Sequence, residues 1–228
     1  MIKLLLLLTT LLTSCVASSS PMQIVLKESN TVTIKGNIDP AMIFKAQMKL
    51  IELDAARKVS STIFITIDSP GGMLDPARNF INFAKSFKNL KLICIRCASA
   101  AASILLEIDA PRLGIADVEV LLHEPMYVVS GHVNKYKAKQ LQQDLEKISN
   151  NMAEINSNII GISKEEYLKR VKDEWLIVGN DTIKHNLIDE IVEVRCSKDF
   201  ASKTETIQTR TMFGVFPKKI YSCPFINN

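Results

Sequence analysis

The chain has 228 residues, 47% hydrophobic but only 6% aromatic, with a formal net charge of +4. That length supports a core needing no metal or disulfide staples, and the aliphatic bias suits an α/β domain. The dispersed charge, without basic runs interleaved with aromatics, gives no case for nucleic acid, and His123, His132 and His185 form no ligand-spacing motif for a metal.

Met1-Ile-Lys3 is a brief positive region, and the apolar run at 4–12 is too short to span a bilayer as a helix. Leu12-Thr-Ser-Cys15 follows and resembles a bacterial lipobox. Residues 1–15 are therefore expected to be a signal peptide. Cys15 becomes the lipid-modified first residue of a mature chain exported to the bacterial cell envelope and membrane-anchored by that lipid. An ordinary secretory signal cut near Ala17 stays open. Residues 16–30 read as a tether.

Residues 31–35 alternate as a strand, and Gly36-Asn-Ile-Asp-Pro40 turns the chain. Asp39 can cap a helix that carries Pro40 at its first position and runs to about Ala56, with Ile43, Ala46, Leu50 and Leu53 inward. Residues 61–67 are apolar enough for a central parallel strand. Asp68-Ser-Pro-Gly-Gly72 ends it, a helix covers 74–87 and a strand 91–95. Two successive strand–helix–strand crossovers imply parallel pairing. Glycines at the carboxyl end of such a strand serve either as a plain turn or as a close backbone approach to a ligand oxygen.

The organising stretch is 92–106. A buried strand passes into the small residues 98–103 and then into a helix, so Ser99 stands at a tight corner beside the free N–H groups of the helix start. Close packing of small residues is the plain alternative. Residues 112–116 and 118–122 read as two short strands, the second ending at His123-Glu-Pro125, which brings a candidate general base back towards Ser99. Leu141, Leu145, Ile148, Met152, Ile155 and Ile159 form a two-per-heptad seam, expected on a projecting helix that pairs with a partner. A helix lying flat on its own domain is the alternative. Ser163-Lys-Glu-Glu166 opens a helix ending near Asp173, 180–185 is a short helix, and 187–194 gives a turn and a last strand. Beyond Arg195 the pattern supports no fold assignment.

An oxidising compartment permits disulfides. Cys196 and Cys223 flank the C-terminal segment and can close it as a loop. Cys94 and Cys97 have C-x-x-C spacing, but a place inside a strand favours core packing for Cys94. The pairing stays open.

In order along the chain stand Ile-Asp-Ser-Pro-Gly-Gly at 67–72, Ile-Cys at 93–94, Ala-Ser at 98–99, Leu-Leu-His-Glu-Pro at 121–125 and Asp173 before Glu-Trp-Leu. This ordered set resembles the proteolytic subunit of Clp protease, within the ClpP/crotonase superfamily. The resemblance implies a protease domain over 31–195 of repeated β-β-α spiral units with a projecting handle helix, and leaves 196–228 as an unassigned extension. It implies Ser99 as nucleophile, His123 as base, Asp173 as the group that orients the imidazole, and an oxyanion hole from the N–H groups of Gly71 or Gly72 and of Ala100. No cofactor is implied. The expected activity is serine endopeptidase cleavage of peptides or unfolded polypeptides, by stacked homo-oligomeric rings that meet through helix 141–159. An exported protein meets no ATP, so an ATP-driven AAA+ unfoldase is not an expected partner. The serine here lacks the family's following glycine. Aligning through Leu105-Leu106 puts Ala100 at the nucleophile position and makes an inactive peptide-binding or scaffold module, while Ser103 is a third candidate, deeper in the helix. A Ser–Lys dyad using Lys135, Lys137 or Lys139 also stays open, as in relatives that degrade signal peptides.

Overall fold

The computed structural model describes residues 21–58, 60–211 and 214–226; the expected leader, Cys15 and the first part of the tether lie outside these. The elements in chain order are β1 (Gln23–Leu26), β2 (Thr31–Lys35), α1 (Pro40–Ala56), β3 (Ile63–Ser69), α2 (Leu74–Ala84), β4 (Leu90–Ala98), α3 (Ala100–Glu107), β5 (Arg112–Leu122), α4 (Lys135–Ile160), α5 (Lys164–Val171), β6 (Trp175–Val178), α6 (Asp181–Lys184), β7 (Glu190–Ile191), β8 (Glu193–Cys196), α7 (Lys198–Ser202), β9 (Thr204–Thr211) and β10 (Gly214–Tyr221). The class is the expected α/β one.

The main sheet runs β2-β3-β4-β5-β6, with β7 also on β5. β2 to β5 are parallel, β6 is antiparallel to β5, and β7 is parallel to its first half. Parallel neighbours need crossovers, and α1, α2 and α3 supply them. Asp39 caps α1 by accepting the Met42 N–H at 2.7 Å, and the buried side is the expected Ile43, Ala46, Leu50 and Leu53. These residues join Ile63, Ile65, Ile67, Leu92 and Phe80 in the helix-side core.

Strand residues of opposite parity face a second, smaller core, where Ile93 and Leu113 meet Ile24, Leu26, Val192, Phe200 and Cys223. That layer corrects the tether boundary. Residues 23–26 are a strand paired in parallel with β8, because Ile24 and Leu26 bury 94% or more of their surface against the sheet. It also gives the extension a fold. α7 packs by Phe200, the Cys196–Cys223 disulfide closes the segment, and β9 and β10 form a separate two-stranded antiparallel sheet.

The two short strands expected over 112–122 are one. Between Gly114 and Glu119 the register against β4 shifts, so what reads as a break is an irregularity inside a continuous strand. α4 is longer than its seam, about 39 Å for its 26 residues. Only Met152, Ala153, Asn156, Ser157 and Ile160 are buried, all near its carboxyl end, so residues 135–151 stand off the domain rather than lying flat on it. Among the described residues, no helix is long and apolar enough to cross a membrane, and no group of three or more His, Cys, Asp or Glu could hold a metal.

Candidate active site

Four of the expected site residues gather at the carboxyl ends of β3 and β4. β4 ends at Ala98 and α3 starts at Ala100, so Ser99 alone makes the corner. Its backbone sits at φ 55°, ψ −123°, a conformation that L-residues rarely adopt. Its N–H donates to the Leu121 carbonyl at 2.9 Å, which ties the corner to the end of β5. Ser99 is half-buried, and its hydroxyl makes no hydrogen bond among the described residues. Ala100 and Ser103 are different. Ala100 is buried as the first helical residue and Ser103 is 1% exposed inside α3, so neither stands at the corner.

The Pro-Gly-Gly turn wraps this serine. Gly71 has φ +97°, and a Cβ built there would stand 2.5 Å from the Ser99 Cβ and 2.7 Å from the Ala98 carbonyl oxygen. The two expected glycine donors are not equivalent. The Gly71 N–H donates to Ser69 Oγ at 3.0 Å, and the Gly71 carbonyl accepts from Ile38 N–H at 2.7 Å. Gly72 bridges to Ile38, which accepts the Met73 N–H at 2.8 Å, while the Gly72 N–H takes no partner among the described residues. The Ala100 N–H, at the start of α3, has no intrahelical partner and none elsewhere among them. Gly72 and Ala100 are therefore the two unspent donors on either side of Ser99. Ser69 was missed by sequence reasoning, although a serine two residues before a glycine is a recognisable local turn.

His123 follows β5 directly. Ala98 pairs with Leu121 in the β4–β5 ladder, so the histidine lies just past the strand end beside the serine corner. The ring is half-buried, and its Nδ1 lies 2.6 Å from the carbonyl oxygen of Glu124. No hydrogen bond joins it to Ser99 or Asp173 among the described residues. Asp173 comes from the antiparallel side. Leu122 pairs with Trp175, so one step beyond the ladder stand His123 on one chain and Glu174 on the other, with Asp173 next. The aspartate is exposed, in a turn where Glu174 takes φ 60°. Arg170 braces that turn: its guanidinium stacks over Trp175 at 4.6 Å, and its Nε donates to Glu166 at 2.7 Å, which holds the Glu166 carboxyl below its usual range. The topology thus brings the expected nucleophile, base and acid to one end of the sheet. It leaves the base–nucleophile and base–acid hydrogen bonds open.

After His123 the chain is irregular over 124–134, with Met126, Tyr127 and Val128 exposed, before it enters α4. Lys135, Lys137 and Lys139 are exposed on the first turns of that helix and form no ion pair among the described residues.

A family model described as Clp protease matches residues 17–195. The chain is 25% identical over 150 residues to an ATP-dependent Clp protease proteolytic subunit from Borrelia garinii subsp. bavariensis, covering 64% of this chain and 75% of that one. It is 24% identical over 173 residues to the ATP-dependent Clp protease proteolytic subunit of Streptococcus mutans, covering 74% and 87%. Subunit 2 of Treponema pallidum is 20% identical over 171 residues, covering 74% and 84%.

Proposed function

The chain belongs to the Clp protease family, and on that premise we propose that it is a serine endopeptidase that cleaves peptides or unfolded polypeptides with Ser99 as nucleophile. The observation that carries this reading is the Ser99 corner: a hydroxyl on a φ 55° backbone, flanked by the N–H groups of Gly72 and Ala100, all three without a hydrogen-bond partner among the described residues. In the working enzyme the His123 ring turns from the Glu124 carbonyl towards Ser99, and Asp173 takes its other ring N–H. Ser99 Oγ attacks the scissile carbonyl carbon as His123 takes its proton. The carbonyl π electrons move to an oxyanion that accepts from Gly72 and Ala100. The tetrahedral species expels the amine, which leaves with the proton from His123. A water then repeats the sequence on the acyl ester and frees the serine. An extended substrate lies by strand addition along the sheet edge.

The same proposal takes the protein as exported, lipid-anchored through Cys15, working without an unfoldase, and assembled as a homo-oligomer whose protomers meet through α4. The projecting half of α4 and the exposed Met126, Tyr127 and Val128 support the assembly. A peptide-holding module without turnover is the second reading, and the His123–Glu124 contact favours it. A fluorophosphonate probe on the folded oligomer separates the two. Labelling that maps to Ser99 and vanishes in Ser99→Ala supports the peptidase. Equal, absent labelling of both, with peptide still bound, supports the holding module. Unchanged turnover in His123→Ala points instead to a lysine base. Metabolic incorporation of a fatty acid that is lost in Cys15→Ala tests the anchor.

A further inference from the structure

Two cysteines on one strand, three residues apart, point to opposite faces and lie about 10 Å apart when the strand is regular. Cys94 and Cys97 do neither. Their Cα atoms are 6.0 Å apart, they are joined as a disulfide, and both are fully buried in the helix-side core. The reason is a bulge at Ile95. Against β3 the register runs Ile67↔Cys94 and then Asp68↔Arg96, so Ile95 is the extra residue. Two consecutive residues, Ile95 and Arg96, then face away from the core, and Cys97 returns to the side that Cys94 occupies.

The strand pairs that lead into the serine corner lie beyond that bulge. Ser69 pairs with Cys97 on one side, and Val120 and Leu121 pair with Cys97 and Ala98 on the other. The run ends in the 2.9 Å bond from Ser99 N–H to Leu121. Smoothing out the bulge would shift this run by one residue and turn each side chain to the other face, carrying Ser99 away from Gly71. The Asp68–Arg96 ion pair, at 3.1 Å, also marks the shifted register, but it is partly exposed and screened. The disulfide is covalent and dry, and Cys94 Sγ reaches to 3.7 Å from the Glu119 carbonyl oxygen, where β5 has its own irregularity.

We infer that the Cys94–Cys97 disulfide is a positioning device for the Ser99 hydroxyl: it locks the β4 bulge and thereby the corner on which the nucleophile stands. The catalytic half of this inference rests on Ser99 being the nucleophile; the half concerning the corner does not. The bond forms when the two thiols pass two electrons and two protons to a disulfide oxidant through a mixed disulfide. Buried as it is, it is a permanent fixture of the folded enzyme and not a switch.

The test compares the full chain, isolated from its oxidising compartment, with Cys94→Ala/Cys97→Ala and with wild type refolded under a phosphine reductant, which keeps both sulfurs. Non-reducing peptide mapping is expected to find the wild-type peptide two hydrogens lighter than the dithiol; free thiols at both positions overturn the inference. Hydrogen exchange at the bonded corner amides of Ser99, Ala102 and Ser103 is expected to rise about tenfold or more without the bond while β2 and β3 stay protected. Equal exchange in all three proteins overturns it. Probe labelling of Ser99 and kcat are expected to fall about 10- to 100-fold with KM nearly unchanged, and reoxidation of the reduced protein to restore both. A wild type that labels nowhere sinks the Ser99 reading, and the exchange measurement still decides the corner.

Discussion

Gly71 leaves no room for a methyl group against Ser99: the nearest atoms to such a carbon would be the Ser99 Cβ at 2.5 Å and the Ala98 carbonyl oxygen at 2.7 Å. The obstruction is backbone and Cβ, which cannot rotate aside, and the φ of +97° adds strain for any L side chain. Gly71→Ala is therefore expected to cost about 2–5 kcal/mol and to abolish probe labelling even where the fold survives at low temperature. Denaturant titration together with labelling checks this. Near-normal stability with normal labelling would show that the turn does not press on the serine.

The strain at Ser99 gives a second, opposite expectation. A non-glycine residue held at φ 55°, ψ −123° stores about 1–3 kcal/mol, and glycine relieves it at an entropic cost of about 0.5–1 kcal/mol. Ser99→Gly should then be more stable than Ser99→Ala by about 1 kcal/mol. Neither variant should react with the probe. Thermal melts of the two dead variants make the comparison without interference from turnover. Equal stability, or a more stable alanine, removes the claim of a strained corner.

Much of the helix-side core was legible because its periodicities are simple. The inward set of α1 and the sharp end of β3 at Ser69 follow from spacing and from Pro-Gly-Gly. The illegible parts share one cause: information that is not local. Bulges in β4 and β5 break strand alternation, which split β5 in two on paper and hid that Cys94 and Cys97 share a face. β1 is four residues long, and its partner lies some 170 residues away. β9 is polar, and in β10 Pro217 and the Lys218–Lys219 pair interrupt the apolar residues, so neither shows an apolar alternation to read. For the site, spacing pointed to Ser99 and offered His123 as its base. Asp173 came from the resemblance, and the difference between Gly71 and Gly72 is a matter of which N–H the turn itself consumes.

The C-terminal hairpin should depend on its staple. Cys196 and Cys223 are 27 residues apart, and closing a loop of that size is worth about 3.6 kcal/mol in the chain-entropy picture. Among the described residues, Glu205 pairs with Lys45, Lys203 pairs with Glu28, and β9 and β10 pair with each other. An isolated two-stranded hairpin is marginal in water. In Cys196→Ala/Cys223→Ala, limited trypsin digestion is expected to clip the segment beyond Lys203 at least about tenfold faster, with the main sheet left whole. An unchanged clipping rate would mean that the ion pairs and Phe200 packing suffice.

Glu107 sets a pH dependence of stability whose sign is opposite to that of a paired surface carboxylate. It ends α3, half-buried, and burial raises its carboxyl above the usual range, against the opposing pull of Arg78, Lys85 and the Ser103 hydroxyl. A raised folded value means that the native state holds this proton more tightly than the unfolded chain does. Its contribution is therefore complete below the unfolded glutamate value of about 4.3 and is lost as pH rises through the folded value. Glu107→Gln mimics the protonated form at every pH. The variant should match wild type in acid and exceed it in melting temperature at pH 7, the gap opening across the window just above pH 4 or so. Melting curves of both proteins taken from about pH 3.5 to 7.5 read this out directly. A gap that stays constant with pH, or a variant weaker at neutrality, would mean that the cations at Arg78 and Lys85 outweigh the cost of burial.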